Sequence, residues 1–151
     1  MDTLDLKVIG RLMEAARSSW AELGAYLGLS APAAADRVHK LEQRGIIRGY
    51  AALIDPEALG LGLAAFISVT LERPEHRQGF LNLVANTPEI LECHHIAGEE
   101  DYILKVRCRN TRHLEMLLGE QIKSTPGIVK TKTTILLSTV KETPVLPLIT
   151  E

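Results

Sequence analysis

Four basic side chains recur within one short stretch, Arg37, Lys40, Arg44 and Arg48, with His39 alongside and only Asp36 and Glu42 opposing them. Cations at that spacing form a stripe on a helix and suit docking on phosphate groups. Charge alone describes a solvated helix face equally well. A second cluster, Gly98-Glu99-Glu100-Asp101-Tyr102, joins a glycine to three carboxylates. A loop of that kind is a candidate binding loop, because Gly98 admits close approach to the backbone and the carboxylates offer anions. A plain hairpin turn is the other reading. His94 and His95 are adjacent, so on a strand they point to opposite faces and cannot share a metal ion. Cys93 and Cys108 read as reduced, packed thiols. No Ser/His/Asp order, phosphate-cradling glycine loop or carboxylate pair stands out, so no catalytic residue, metal or cofactor is expected.

The 151-residue chain is 46% hydrophobic and 24% charged, the balance of a folded protein with room for one domain or two small ones. No apolar run approaches the roughly 20 residues that cross a bilayer, so no membrane partner is expected. Asp2, Asp5 and Lys7 interrupt any secretory start, which points to the cytoplasm. A net charge of -2 argues against a general polyanion binder. Residues 1–55 hold seven basic and seven acidic side chains, and 56–151 hold ten and twelve. The basic stripe is therefore a local feature.

Three helices must position that stripe. Asp2 caps the first, whose apolar positions Leu4, Val8, Ile9, Leu12 and Met13 recur at helical spacing. Arg17 and Ser18 end it. Ser19 with Glu22 forms a capping box for a short second helix, closed by Gly28 and Leu29. Ser30 caps the third, Pro32 sits in its first turn, and Ala34, Val38 and Leu41 face inward. Helix, tight glycine turn and capped helix make a helix-turn-helix, with small Gly24 where the paired helices approach and the third helix as reader. Its start, Ser30, Ala31 and Ala33, offers few groups for base edges, although alanine can touch a thymine methyl. Arg37 is placed for one base contact, and His39, Lys40, Arg44 and Arg48 for the DNA backbone, leaving selectivity largely to DNA shape. Residues 46–55 lean towards β structure and read as a wing or connecting strand.

From Leu61 the apolar period falls to two. Strands are expected around 63–71, 90–97, 102–108 and 128–140, with helices at 75–86 and from Asn110 or Thr111 through Ile122. The order β-α-β-β-α-β is the ferredoxin-like split unit, giving an α+β protein. One sheet face takes the helices. The other carries alternating apolar and hydroxyl residues, and a second copy of the sheet would cover it as a two-fold homodimer. The expected domains are 1–55, helix-turn-helix (winged-helix-like), and 56–151, the oligomerising βαββαβ unit, to which the resemblance described next adds effector binding.

Nearly the whole sequence resembles the Lrp/AsnC (feast/famine) family of transcriptional regulators. The resemblance runs through Leu4-Asp5, Ile9, Leu12, Glu22-Leu23, Leu29-Ser30, Arg37-Val38, Leu41-Glu42, Gly45-Ile46-Ile47-Arg48-Gly49-Tyr50 and Asp55-Pro56. It continues in Gly98-Glu99-Glu100-Asp101-Tyr102-Ile103-Leu104-Lys105-Val106 and Pro126-Gly127-Ile128-Val129-Lys130-Thr131-Lys132-Thr133. It implies a regulator of double-stranded DNA whose dimers assemble further, often to octamers, under control of a small effector, usually an amino acid. By that resemblance the loop Gly98-Glu99-Glu100-Asp101-Tyr102 is the expected effector site, with backbone N–H groups at Gly98 for an amino-acid carboxylate and Asp101 for its ammonium group; the family loop usually reads Gly-Asp-x-Asp-Tyr, and here Glu99 and Glu100 intervene, which leans towards a basic effector such as lysine or arginine. Thr133 and Ser138 are candidate effector partners across an interface. Two other functions remain open on the residues: a sirohaem-decarboxylase-like enzyme using His94, His95, Arg107 and Arg109, and a nucleoid-organising protein that wraps DNA without an effector.

Overall fold

A computed structural model describes residues 1–148, which fall into two compact units, 1–53 with the tail from 141, and 54–140. In the first unit, α1 (Thr3–Glu14), α2 (Trp20–Leu27) and α3 (Ala31–Gln43) begin at reciprocal or single side-chain caps. Asp2 accepts from the Asp5 amide at 2.7 Å while Asp5 accepts from the Asp2 amide at 3.1 Å. Ser19 and Glu22 exchange the same pair of bonds, and Ser30 accepts from the Ala33 amide. Each cap satisfies amides that the helix itself leaves unpaired. Val8, Leu12, Leu23, Leu27, Ala34, Val38 and Leu41 close one core between the three helices. Met13 lies outside it; its sulfur meets the Leu146 amide at 3.4 Å.

The turn between α2 and α3 depends on a missing side chain. A Cβ on Gly24 would stand 2.7 Å from the Leu29 carbonyl oxygen and 3.2 Å from the Ala31 nitrogen, both backbone.

The run 46–55 forms no strand, contrary to expectation. A strand needs a ladder partner, and in this unit the first amides of the run terminate α3 instead. Gly45, at φ +69°, donates to Glu42 O, and Ile46 donates to Leu41 O at 3.0 Å, the Schellman closure. Tyr50 then returns its hydroxyl to Glu42 at 2.9 Å.

The second unit holds β1 (Leu63–Leu71), a 3-10 turn (Pro74–His76), α4 (Arg77–Asn86), β2 (Ile90–His95), β3 (Tyr102–Cys108), α5 (Thr111–Met116) and β4 (Ile128–Leu136). The sheet is antiparallel in the order β2-β3-β1-β4. This is the ferredoxin-like arrangement, and with the helical unit it makes the chain α+β. After α5 the backbone widens through Leu117–Ile122, where Lys123 donates to Leu118 O, five residues back. That widening lets Leu117 and Ile122 both reach the core.

Ala65, Ile67 and Val69 of β1 and Tyr102, Leu104, Val106 and Cys108 of β3 pack under Phe80, Leu114, Leu117 and Ile122. Phe80 is fully buried, about 1.5–3 kcal/mol of transfer free energy, and lies 4.7 Å from the Tyr102 ring. The edges stop short of expectation because their partners do. β2 ends at His95 opposite Tyr102, the first residue of β3. β4 ends at Leu136 opposite Ala64, leaving Leu137 and Val140 almost fully exposed.

The expected second domain of 56–151 differs from the structure at its end. Residues 141–148 group with the helical unit, where Leu148 would meet a Cβ on Gly10 at 3.0 Å. Apolar side chains beyond the last strand have no sheet to cover, and α1 offers them a surface. Residues 149–151 of that expected domain lie outside the described residues.

Gly24→Ala should destabilise the helical unit by about 1–3 kcal/mol, the cost of overpacking against backbone that cannot yield. Urea unfolding followed at Trp20 would show it; an unchanged midpoint would mean that the turn has slack.

Candidate functional site

Ser30, Ala33, His39, Lys40, Arg44 and Arg48 are exposed, and Ala31 is half-buried. Ala33, Asp36, Lys40 and Arg44 line a shallow cleft of about 330 Å³ with Asp5, Leu29, Arg37 and Leu41. Within this row the cations differ sharply in availability. Arg37 Nη1 donates to Asp2 at 2.7 and 2.8 Å and to Asp5 at 2.6 Å. The Asp5 side chain is only 11% exposed. Withdrawing the guanidinium would leave a nearly buried carboxylate without its cation, so the pairing holds.

Arg37 is therefore a tie between α3 and the start of α1, with its side chain still 26% exposed. Lys40 pairs with Asp36 at 2.7 Å, but both side chains are about two-thirds exposed. An i,i+4 surface pair contributes only about 0.3–0.5 kcal/mol, which a phosphate readily displaces. Arg44 makes no ion pair among the described residues. His39 meets the edge of the Trp20 ring at 5.7 Å.

The loop after β2 divides. Gly98 and Glu99 are exposed and Glu100 half-buried, and they stand outside the lining of the cleft at Asp101. Asp101 turns inward: its amide donates to Val69 O at 3.0 Å, and Oδ2 accepts from the Leu71 amide at 2.8 Å. It thus extends the β1–β3 pairing by one residue before β3 as well as offering an anion. Asp101 and the buried Tyr102 line a cleft of about 310 Å³ with Leu71, Glu72, Arg73, Pro74, Arg77 and His95.

Thr133 and Ser138 do not join that cleft. Thr133 pairs with Ile67, and Ser138 lines a separate cleft with Asp55, Pro56, Glu57 and Arg107. The latter sits beyond the Ala64 end of β1, whereas Asp101 sits at Val69. Five residue steps along β1 separate them, roughly 17 Å at about 3.3 Å per residue.

Sequence reasoning missed Arg73, Arg77 and His95. The available signal was an i,i+4 arginine pair flanking a proline at a helix start, which becomes informative only once Asp101 is known to lie beside it. His95 stacks on Tyr102 at 4.9 Å, and His94 bonds Glu92 at 3.1 Å on the other face. Among the described residues no group of His, Cys, Asp or Glu could hold a metal ion. Nor is any helix long and apolar enough to cross a membrane. Lys105 donates to Glu92 at 3.3 Å. Cys93 and Cys108 are free, and burial pushes both thiols above their usual range.

A capped helix-turn-helix with an exposed basic row, in one chain with an α+β unit that carries a small cleft, defines a two-part ligand-sensing regulator. Residues 1–42 match the AsnC-type helix-turn-helix domain, and 64–146 match the Lrp/AsnC ligand binding domain. The leucine-responsive regulatory protein of Escherichia coli K12 is 35% identical over 144 residues, covering 94% of this chain and 88% of that protein. A Neisseria meningitidis transcriptional regulator solved in complex with L-Met superposes with a TM-score of 0.93 at 32% identity, covering 97% and 96% of the two chains. Escherichia coli AsnC superposes with a TM-score of 0.87 at 30% identity, covering 99% and 97%. The chain belongs to the Lrp/AsnC family: it is a transcriptional regulator with a helix-turn-helix and a ligand-binding domain, and not an enzyme.

The Arg37 tie has an acid signature. The guanidinium first, and the Asp5 amide second, hold the Asp2 carboxyl below its usual range. A depressed carboxyl adds stability above its unfolded pKa of about 3.9, and that stability is lost as pH falls through the lower folded value. Melts by circular dichroism between pH 5 and 2 should show this loss. In Arg37→Met the melting point should drop a few degrees at neutral pH and the acid dependence should flatten; an unchanged acid profile would remove the tie.

Proposed function

We propose that this regulator grips duplex DNA through the exposed row of α3, with Lys40 and Arg44 on phosphates and His39 and Arg48 flanking them. The observation that carries this is the contrast between Arg37, held by two carboxylates, and Lys40 and Arg44, which are exposed on the adjacent turns. Ser30, Ala31 and Ala33 at the N-terminus of α3 approach the bases, where small side chains allow close contact and leave selectivity to DNA shape. Residues 1–55 form the DNA-binding part, and 56–140 the effector-binding and assembling part.

The regulator acts in the cytoplasm as a two-fold homodimer, joined through the sheet face opposite the helices and assembling further, to octamers. That face carries Phe66, Ser68 and Thr70 of β1, Ile103 of β3 and Thr134 of β4, placed together by the strand register. A small effector, an amino acid, binds near Asp101 and Tyr102 and shifts assembly or DNA affinity. The L-Met complex of the Neisseria meningitidis regulator supports that reading.

Salt-dependent DNA binding tests the interface. Lys40→Ala with Arg44→Ala should weaken binding and lower the slope of log affinity against log salt by about one for each phosphate contact removed. Fluorescence anisotropy at several salt concentrations reads it. An unaltered slope would move the docking surface off α3. Footprinting that shows one sharp operator would argue against general wrapping.

A further inference from the structure

The first half of α3 carries one hydrogen-bonding side chain. Over Ala31-Pro32-Ala33-Ala34-Ala35-Asp36 only Asp36 ends in a polar group. Ser30, just before, spends its hydroxyl oxygen on the Ala33 amide at 3.3 Å. Asp36 is exposed with Ala33 and Lys40, on the face turned away from the buried Ala34, Val38 and Leu41. Arg37, the next residue, is engaged with Asp2 and Asp5. The Asp36 side chain is 63% exposed, and Lys40 Nζ holds its Oδ2 at 2.7 Å, while Oδ1 has no partner among the described residues. An acid one turn before a lysine supports a helix, but only weakly. On a DNA-facing row it is also repelled by every phosphate, a cost offset where the groove donates to it. In the major groove the donors are the amino groups of cytosine and adenine. Adenine sets its N7 acceptor beside that amino group, and guanine and thymine present acceptors, so cytosine is the base that matches a carboxylate.

We infer that Asp36 is a specificity-determining residue, which accepts from the N4 amino group of one cytosine in the major groove of the bound duplex. Docking exchanges partners. Lys40 passes from Asp36 to a phosphate, and the cytosine amino group replaces its ammonium on Oδ2. Ala33, one turn earlier on the same face, leaves room for the helix to approach closely enough for so short a side chain. The inference rests on α3 as the docking surface and adds one direct base contact to a selectivity otherwise left to DNA shape.

Selection of sequences from a randomised duplex pool by the full chain tests it, run with the unaltered protein, Asp36→Ala and Asp36→Asn. The unaltered protein should prefer cytosine at one position by about fivefold or more over the other bases. Asp36→Ala should lose that preference and keep those at the remaining positions. Asp36→Asn, nearly the same shape, should extend the preference to adenine, because its amide donates to N7 and accepts from N6. Circular dichroism and the fluorescence of Trp20, the one tryptophan of the chain, check that both variants fold. A cytosine preference retained by Asp36→Ala, no preferred cytosine in the unaltered protein's pool, or an equal gain in affinity for every sequence in Asp36→Ala would overturn the base contact. Should Asp36→Ala not fold, an Asp36→Asn profile identical to that of the unaltered protein overturns it instead. The salt slope separates this inference from the reading beneath it. If Lys40→Ala with Arg44→Ala lowers the slope while Asp36→Ala still selects cytosine, α3 docks on DNA and only the base contact fails. If the slope is unaltered, the docking surface lies elsewhere and the inference fails with it.

Discussion

One guanidinium, shared between two carboxylates at the start of α1, organises the helical unit. Arg37 projects from the middle of α3 and closes on Asp2 and Asp5, which are already bound to each other's amides as a capping box. The same contacts therefore start α1, orient α3 against it and neutralise a nearly buried carboxylate. They also sort the basic row by function. The cation with the most buried partner is tied to α1 and half-buried, and those on the neighbouring turns are exposed.

The sheet unit depends on β1 in a comparable way. β1 pairs with both β3 and β4, so it fixes the register of everything near the loop 98–102. Because Val69 lies opposite Tyr102, the end of β1 arrives beside Asp101, and the chain leaving β1 carries Arg73 and Arg77 to the same place. The cleft is thus a product of strand pairing between segments some thirty residues apart.

Features whose partners lie within a few residues were legible before the structure. Asp2, Ser19, Ser30 and Gly28 announce helix ends because a cap and its target are separated by one turn. The alternation at 63–71 and 102–108 announces strands because each has a buried face of period two. The run at 46–55 has strand composition but no ladder partner in its unit, so propensity gave way to helix termination by Gly45 and Ile46. The Arg37 tie stayed hidden for a related reason. Its type is local information, whereas Asp2 and Asp5 stand 35 and 32 positions away. Asp101 and Tyr102 of the glycine-acid loop line a cleft, and only the register between β1 and β3 could reveal the arginines that line it with them.

Both thiols of the chain belong to the sheet, Cys108 within its core and Cys93 half-buried on the neighbouring strand. A thiol reacts through its thiolate, and burial keeps these two protonated at neutral pH. Peroxides and alkylating agents, which need the thiolate, meet two thiols that burial holds towards the protonated form.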